Sequence, residues 1–445
     1  MDQQPCEIRT QLRPLGRPAM SFLLKPLAHT RRASLLAHKY FIRSLILTIF
    51  SVNLGLYIMH AVSHEVICTI AFIFYQSYFR PEEKLQSEDQ KQENSRLPDG
   101  TERKRKITRV LGVDFAPADT PMRQRVQTFC VALCSFSFLF AGAFFSALSV
   151  YLLFTRFCWL PILYALWYIY DHGTHERGGH RIHWYRRWKL WTRVAEYFPI
   201  ELVKTAELPP ERNYIFGYHP HGIMASGSFI NFATEATGFS KLFPGIVPHL
   251  MTLSMNFCFP FHRDLILGLG VVSVTRKSLN WILQRKGLGN AAVIVVGGAQ
   301  EALDAHRNTN VALTLTSRKG FIRLALQNGA DLVPVFSFGE NDVFQQAANP
   351  PGSKLREIQD RMKKVLGFSV PLFHGRGLLQ YTWGYVPYRA RLTTVVGAPI
   401  RVQKIEEPSR EQVDALHAQY VHALKQLFEN HKHRAGCPNQ TLTIY

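Results

Sequence analysis

Five consecutive residues, Tyr218-His219-Pro220-His221-Gly222, carry the densest chemistry in this chain. They follow an apolar run, Tyr214-Ile215-Phe216-Gly217, that reads as a strand, and they precede a helical pattern. Imidazole titrates near neutrality, so either histidine can take a proton from an alcohol at cell pH. Pro220 fixes the chain between the two rings, and Gly222 allows an unusual turn. Two histidines at this spacing serve packing or metal binding more often than catalysis, so the pair alone decides nothing. A second stretch, Val295-Val296-Gly297-Gly298-Ala299-Gln300-Glu301, also runs from a strand through glycines into a helix. Glu301 there either orients an imidazole or simply sits in a first helical turn, where the dipole favours an acid. A third, Ser317-Arg318-Lys319-Gly320-Phe321, puts two cations before a helix. Cations are unfavourable at a helix N-terminus unless they face an anion such as a phosphate, or are simply solvated.

An α/β domain over residues 171–445 is expected to position these groups. Apolar, β-rich runs at Tyr214–Tyr218, Ala292–Val296, Val311–Leu315, Asp331–Phe338 and Leu392–Val396 alternate with helical patterns. That alternation predicts a mainly parallel sheet flanked by helices. Ser409 and Gln412 form a capping box that opens a last helix. Its buried face should be Val413, Leu416, Tyr420, Leu424, Leu427 and Phe428.

Two stretches within the first 170 residues read as membrane-associated. Val126–Phe154 contains no Asp, Glu, Lys or Arg; Arg156 interrupts, and Phe157–Tyr170 is again uncharged. Residues 126–170 therefore predict a membrane-embedded helical hairpin with Arg156 at its turn. Basic residues flank both ends, which places both ends in the cytosol. The second leg is short enough to be re-entrant. Before the hairpin, residues 1–43 form a basic tail, 44–79 an apolar membrane-associated segment, and 80–125 a polar linker.

Composition bounds the remaining classes. The chain has 445 residues, 47% apolar, and a formal net charge of +20. Mean hydropathy near zero argues against both wholesale disorder and a many-span transporter. The charge favours anionic partners. No zinc-finger or RNA-recognition signature is present, so nucleic acid is not expected. The basic residues crowd beside apolar segments, which points to a membrane surface. Seven scattered cysteines suggest reduced thiols rather than a disulfide framework. His172, His175, His180 and His183 make two His-x2-His pairs that could hold zinc.

The ordered set of motifs resembles the type 2 diacylglycerol acyltransferase family, which includes monoacylglycerol acyltransferases. The resemblance runs through Tyr197-Phe198-Pro199-Ile200, Asn213–Gly222, Phe243-Pro244-Gly245, Gly297–Leu303 and Arg318-Lys319-Gly320-Phe321. It continues through Ser337-Phe338-Gly339-Glu340-Asn341, His374-Gly375-Arg376-Gly377 and Thr393–Gly397, covering about residues 112–445. Gln300 with Ala302–Ala305, and Phe115-Ala116-Pro117, are similar to the monoacylglycerol branch. The resemblance implies an acyltransferase-like fold in the endoplasmic-reticulum membrane, with a cytosolic catalytic domain and possible access to lipid droplets. It implies transfer from acyl-coenzyme A, a substrate rather than a cofactor, to monoacylglycerol or diacylglycerol. It needs no metal and allows a homo-oligomer.

On that reading His219 or His221 is the base, and the other positions the hydroxyl. Glu301 hydrogen-bonds the far imidazole nitrogen. Backbone N–H groups near Gly222 or Gly297–Gly298 hold the oxyanion. Arg318 and Lys319 bind coenzyme A phosphates, and Asn341 contacts substrate. Related glycerolipid acyltransferases carry His-x4-Asp, but here Met224 and Ser226 stand five residues after His219 and His221. The imidazole therefore needs another partner, and Glu301 is the candidate. A lipid hydrolase is disfavoured because no Gly-x-Ser-x-Gly elbow is complete; Val335 replaces the first glycine before Ser337. A non-catalytic lipid-binding protein suits the hairpin but gives no reason for the histidine pair. A dinucleotide enzyme is weaker, since Gly268 and Gly270 lack the third glycine.

Overall fold

The computed structural model describes residues 108–307 and 310–445. The expected tail at 1–43, the apolar segment at 44–79 and most of the linker at 80–125 lie outside those residues.

Seven strands form the central sheet: β1 Glu201–Lys204, β2 Tyr214–His219, β3 Val247–Thr252, β4 Val272–Ser273, β5 Asn290–Val295, β6 Asp331–Phe338 and β7 Thr393–Val396. Their order is β1-β7-β6-β2-β5-β3-β4. All neighbours are parallel except β7 and β6, which run antiparallel. β2 is buried throughout, as a central strand covered on both faces must be. Alternating side chains feed two cores. Ile215 joins Ala292, Leu332, Val395 and the helix Arg410–His431 on one face. Tyr214, Phe216 and Tyr218 join Phe232, Phe239 and Val333 on the other.

The run Val311–Leu315 departs from expectation. Its strand, Asn310–Leu313, is not part of the central sheet; it pairs in parallel with Thr441–Ile444 near the C-terminus. β1, β3 and β4 went unforeseen.

Two apolar helices precede the sheet, α1 Met122–Leu153 and α2 Trp159–Tyr170. The connection at 154–158 contains Arg156. α1 starts four residues earlier than the apolar run, because Arg389 receives its first turns: the guanidinium donates to Gln127 Oε1 and Gln124 O. Small or polar residues of α1 face the domain, including Ser135, Gly142 and Ser146. Phe129, Leu133, Phe138 and Phe144 point outward. At 1.5 Å per residue α1 is about 48 Å long and α2 about 18 Å, against a hydrocarbon core of about 30 Å. Among the described residues, α1 is the one helix long and apolar enough to cross a membrane. α2 is tied down instead: Asp264 accepts hydrogen bonds from Tyr164 and Trp167. Residues 108–125 are docked rather than free. In a two-stranded ribbon, Thr108–Val110 with Val113–Phe115, Asp114 bonds to Tyr381 and Thr382, and Ala116 just after it donates to Leu379 O.

Candidate active site

Three motifs far apart in sequence meet because three adjacent strands are parallel. Tyr218 is level with Val295 of β5 and Val335 of β6, and His219 with Phe336. The chain segments leaving β2, β5 and β6 therefore emerge at one edge of the sheet. They are the His219–Gly222 loop, the Gly297–Glu301 turn and the Gly339–Asn341 turn. Ligands in open α/β sheets commonly bind at such strand ends.

His221 is half-buried, and its ring is oriented by its own neighbour. Nδ1 lies 2.9 Å from Gly222 O. A carbonyl only accepts, so Nδ1 carries the hydrogen and Nε2 keeps its lone pair. Nε2 has no hydrogen-bond partner among the described residues. Burial holds this imidazole below its ordinary 6.5. Gly222 has φ +60°, and a side chain there would meet Glu340 Cγ at 2.7 Å.

His219 is fully buried, and that burial pushes its imidazole down to about 3, so it is neutral at pH 7. Nε2 lies 3.1 Å from Tyr420 Oη. Nδ1 is buried without a partner.

Glu301 sits in the first turn of α3 Gly298–Leu303, where the helix N-terminus favours an anion. The expected contact to an imidazole is not made. Its carboxylate accepts the peptide N–H of His221 at 2.9 Å and that of Thr314 at 2.9 Å. The reason is reach: Gly297 has no side chain, and the Glu301 carboxyl folds back into the space a Cβ would fill, only 1.8 Å from it. From there it meets the backbone of the His221 loop rather than a ring. Burial raises this carboxyl to about 7, opposed by the two N–H groups and by Arg318.

Arg318 is exposed and donates to Gly297 O at 3.3 Å, so it reaches the glycine turn. Lys319 does not join it; its ammonium pairs with Asp414 at 2.7 Å. Asn341 lies beside Glu340, with its Oδ1 buried and unpartnered. His180 pairs with Asp171, which also holds Arg263, so that histidine is committed to an ion-pair cluster. A cavity of about 370 Å³ at the root of α1 is lined by Arg123, Glu196, Arg389 and Arg391, among others. None of the three motifs lines it.

Glu340 was quoted in the sequence only as part of a motif, yet it is built into the site. Fully buried, it accepts from Tyr218 Oη at 2.8 Å and Gly227 N at 3.0 Å. Burial pushes it up to about 7. Its position two residues after β6 could have flagged it, since β6 was expected to end at Phe338.

A strand-end histidine with a free lone pair, clamped through its peptide by a buried carboxylate, is equipped for proton transfer to and from an alcohol. The chain belongs to the diacylglycerol acyltransferase family, whose model matches residues 150–444. Among curated relatives, 2-acylglycerol O-acyltransferase 1 of Bos taurus is 45% identical over 75% of this chain and 99% of its own length. Diacylglycerol O-acyltransferase 2 of Danio rerio is 48% identical over 73% of this chain and 90% of its own. The 1-acyl-sn-glycerophosphate acyltransferase of Thermotoga maritima is similar in structure only distantly, with TM-score 0.33 and 13% identity over 69% of this chain and 97% of that one.

Proposed function

We propose that this protein transfers a fatty-acyl group from acyl-coenzyme A to a free hydroxyl of monoacylglycerol, giving diacylglycerol, and accepts diacylglycerol as a second acceptor. One observation carries the first acceptor: the similarity to the bovine 2-acylglycerol acyltransferase extends over 99% of that protein. The diacylglycerol relative is slightly more identical, 48% against 45%, but is matched over 90% of its length.

His221 is the base of this reaction, because its Nε2 lone pair is both free and fixed. It takes the hydroxyl proton as the oxygen attacks the thioester carbonyl carbon. The resulting oxyanion accepts from backbone N–H groups of the Gly222 or Gly297–Gly298 turns. The C–S bond breaks, and the thiolate takes the proton from the imidazolium. Ester and free coenzyme A result, with no water consumed and no redox change. Glu301 holds the His221 peptide still. Arg318 meets a coenzyme A phosphate, and Lys319 joins it on exchanging Asp414 for that anion. Asn341 offers its unpartnered Oδ1 to a glyceride hydroxyl.

No resident cofactor or metal enters this scheme, and no nucleic-acid partner. α1 and α2 hold the domain at the endoplasmic-reticulum membrane, with the site on the cytosolic side, and the acceptor arrives from the bilayer or a lipid-droplet surface. Self-association is compatible with it.

The deciding experiment gives purified protein labelled acyl-coenzyme A with monoacylglycerol, diacylglycerol, retinol or a long-chain alcohol. Diacylglycerol should be the fastest labelled product. Label appearing only as free fatty acid would mean hydrolysis and end the proposal.

A further inference from the structure

Beneath the reactive loop, α4 Arg410–His431 delivers Tyr420 to His219. The phenol is fully buried and is wedged by the Phe321 ring, whose centroid is 5.1 Å away. Its hydroxyl donates to Gly217 O at 3.0 Å. The same oxygen lies 3.1 Å from His219 Nε2. The strand residue at this spot must be glycine, since a Cβ on Gly217 would stand 2.0 Å from Tyr420 Oη.

A phenol has one hydrogen to give. With that hydrogen on Gly217 O, the oxygen can only accept from the imidazole, so His219 carries its hydrogen on Nε2. Nδ1 is then a bare acceptor, and it is the buried ring nitrogen that has no partner. Buried polar atoms are nearly always paired, so an orphan next to a reaction centre calls for a ligand donor.

We propose that Tyr420 is a positioning residue for acyl transfer: it locks His219 in the Nε2–H tautomer, so that Nδ1 accepts a hydrogen bond from the monoacylglycerol hydroxyl that is not being acylated while His221 removes the proton from the one that is. The two histidines thereby take separate tasks. This rests on the acyl-transfer reading of the loop. Phe321 and the sheet hold the ring in place, so removing the hydroxyl alone leaves the packing intact.

The test is Tyr420→Phe in the full chain. Turnover should fall about ten-fold while the KM for acyl-coenzyme A changes by less than about two-fold. Nitrogen-15 spectra of histidine-labelled protein in detergent, with His219 assigned by its loss in His219→Gln, should show a single Nε2–H tautomer in the parent chain. The variant should show a mixture. A variant with parental turnover, or a parental His219 protonated on Nδ1, would overturn the proposal. If the variant does not fold, the parental spectrum alone decides. A parent chain that transfers no acyl group refutes the reaction assignment instead, while the spectrum still judges Tyr420.

Discussion

His221 and Glu301 are eighty residues apart, yet a single 2.9 Å hydrogen bond joins them through a peptide N–H rather than a ring. His221→Ala should lower turnover by at least about 10²-fold, with membrane association and thermal midpoint kept; near-normal turnover would remove the base from the scheme. Glu301→Gln is a subtler change. Two N–H donors, from His221 and Thr314, need two acceptor oxygens. An amide supplies one and opposes the other with its NH₂, so turnover should drop about ten-fold or more. Glu340 carries a pH signature. Its folded value of about 7 exceeds the ordinary 4.5 of a free glutamic acid, because burial disfavours the charge. The native state therefore binds more protons between those values. Its contribution to stability is complete below about 4.5 and is lost as pH rises through about 7. Glu340→Gln should flatten the fall in thermal midpoint between pH 5 and 8, and an unchanged slope would contradict the burial argument. At this scale the sequence displayed the candidate residues but not their contacts. Spacing puts Glu301 near an imidazole without saying whether ring or peptide is met. Tyr420 was legible as one member of an apolar helical face, because periodicity reports a face and is silent about a hydroxyl.

Among the elements, legibility followed length and pattern. β2 and β6 were read almost to the residue, because a buried central strand is a continuous apolar run bounded by turns. β1 and β4 are too short to show a period, and β3 contains Pro248 and His249, which mask it. The run at Val311–Leu315 was equally apolar and still joined another pairing, since hydropathy does not choose a strand's neighbour. α4 was the clearest success: the Ser409 hydroxyl accepts from Gln412 N, and Gln412 Oε1 accepts from Ser409 N. Ser409→Ala should cost about 1 kcal/mol in denaturant unfolding. That helix bears Tyr420, so a loss of turnover larger than the stability loss explains would show that helix position is felt at the site.

At the scale of the molecule, the two apolar helices carry an exposed apolar face. α2 presents Trp159, Ile162, Leu163, Leu166 and Ile169 to the outside, and none of its residues is buried. Together with the outward face of α1 they make an apolar surface far too large for a water-exposed monomer. Replacing Phe129, Leu133 and Phe144 by aspartate should release much of the protein from membranes in a flotation assay without changing the cores. Full retention would mean that other segments anchor it. The pairing of Thr441–Ile444 with Asn310–Leu313 has a practical corollary. Tyr445 brackets the same backbone, accepting from Leu315 and Thr316 just after the Thr314 that serves Glu301. A fluorescent protein or affinity handle fused behind that tyrosine would tug on the backbone that supports Glu301, so reporters belong at the opposite terminus.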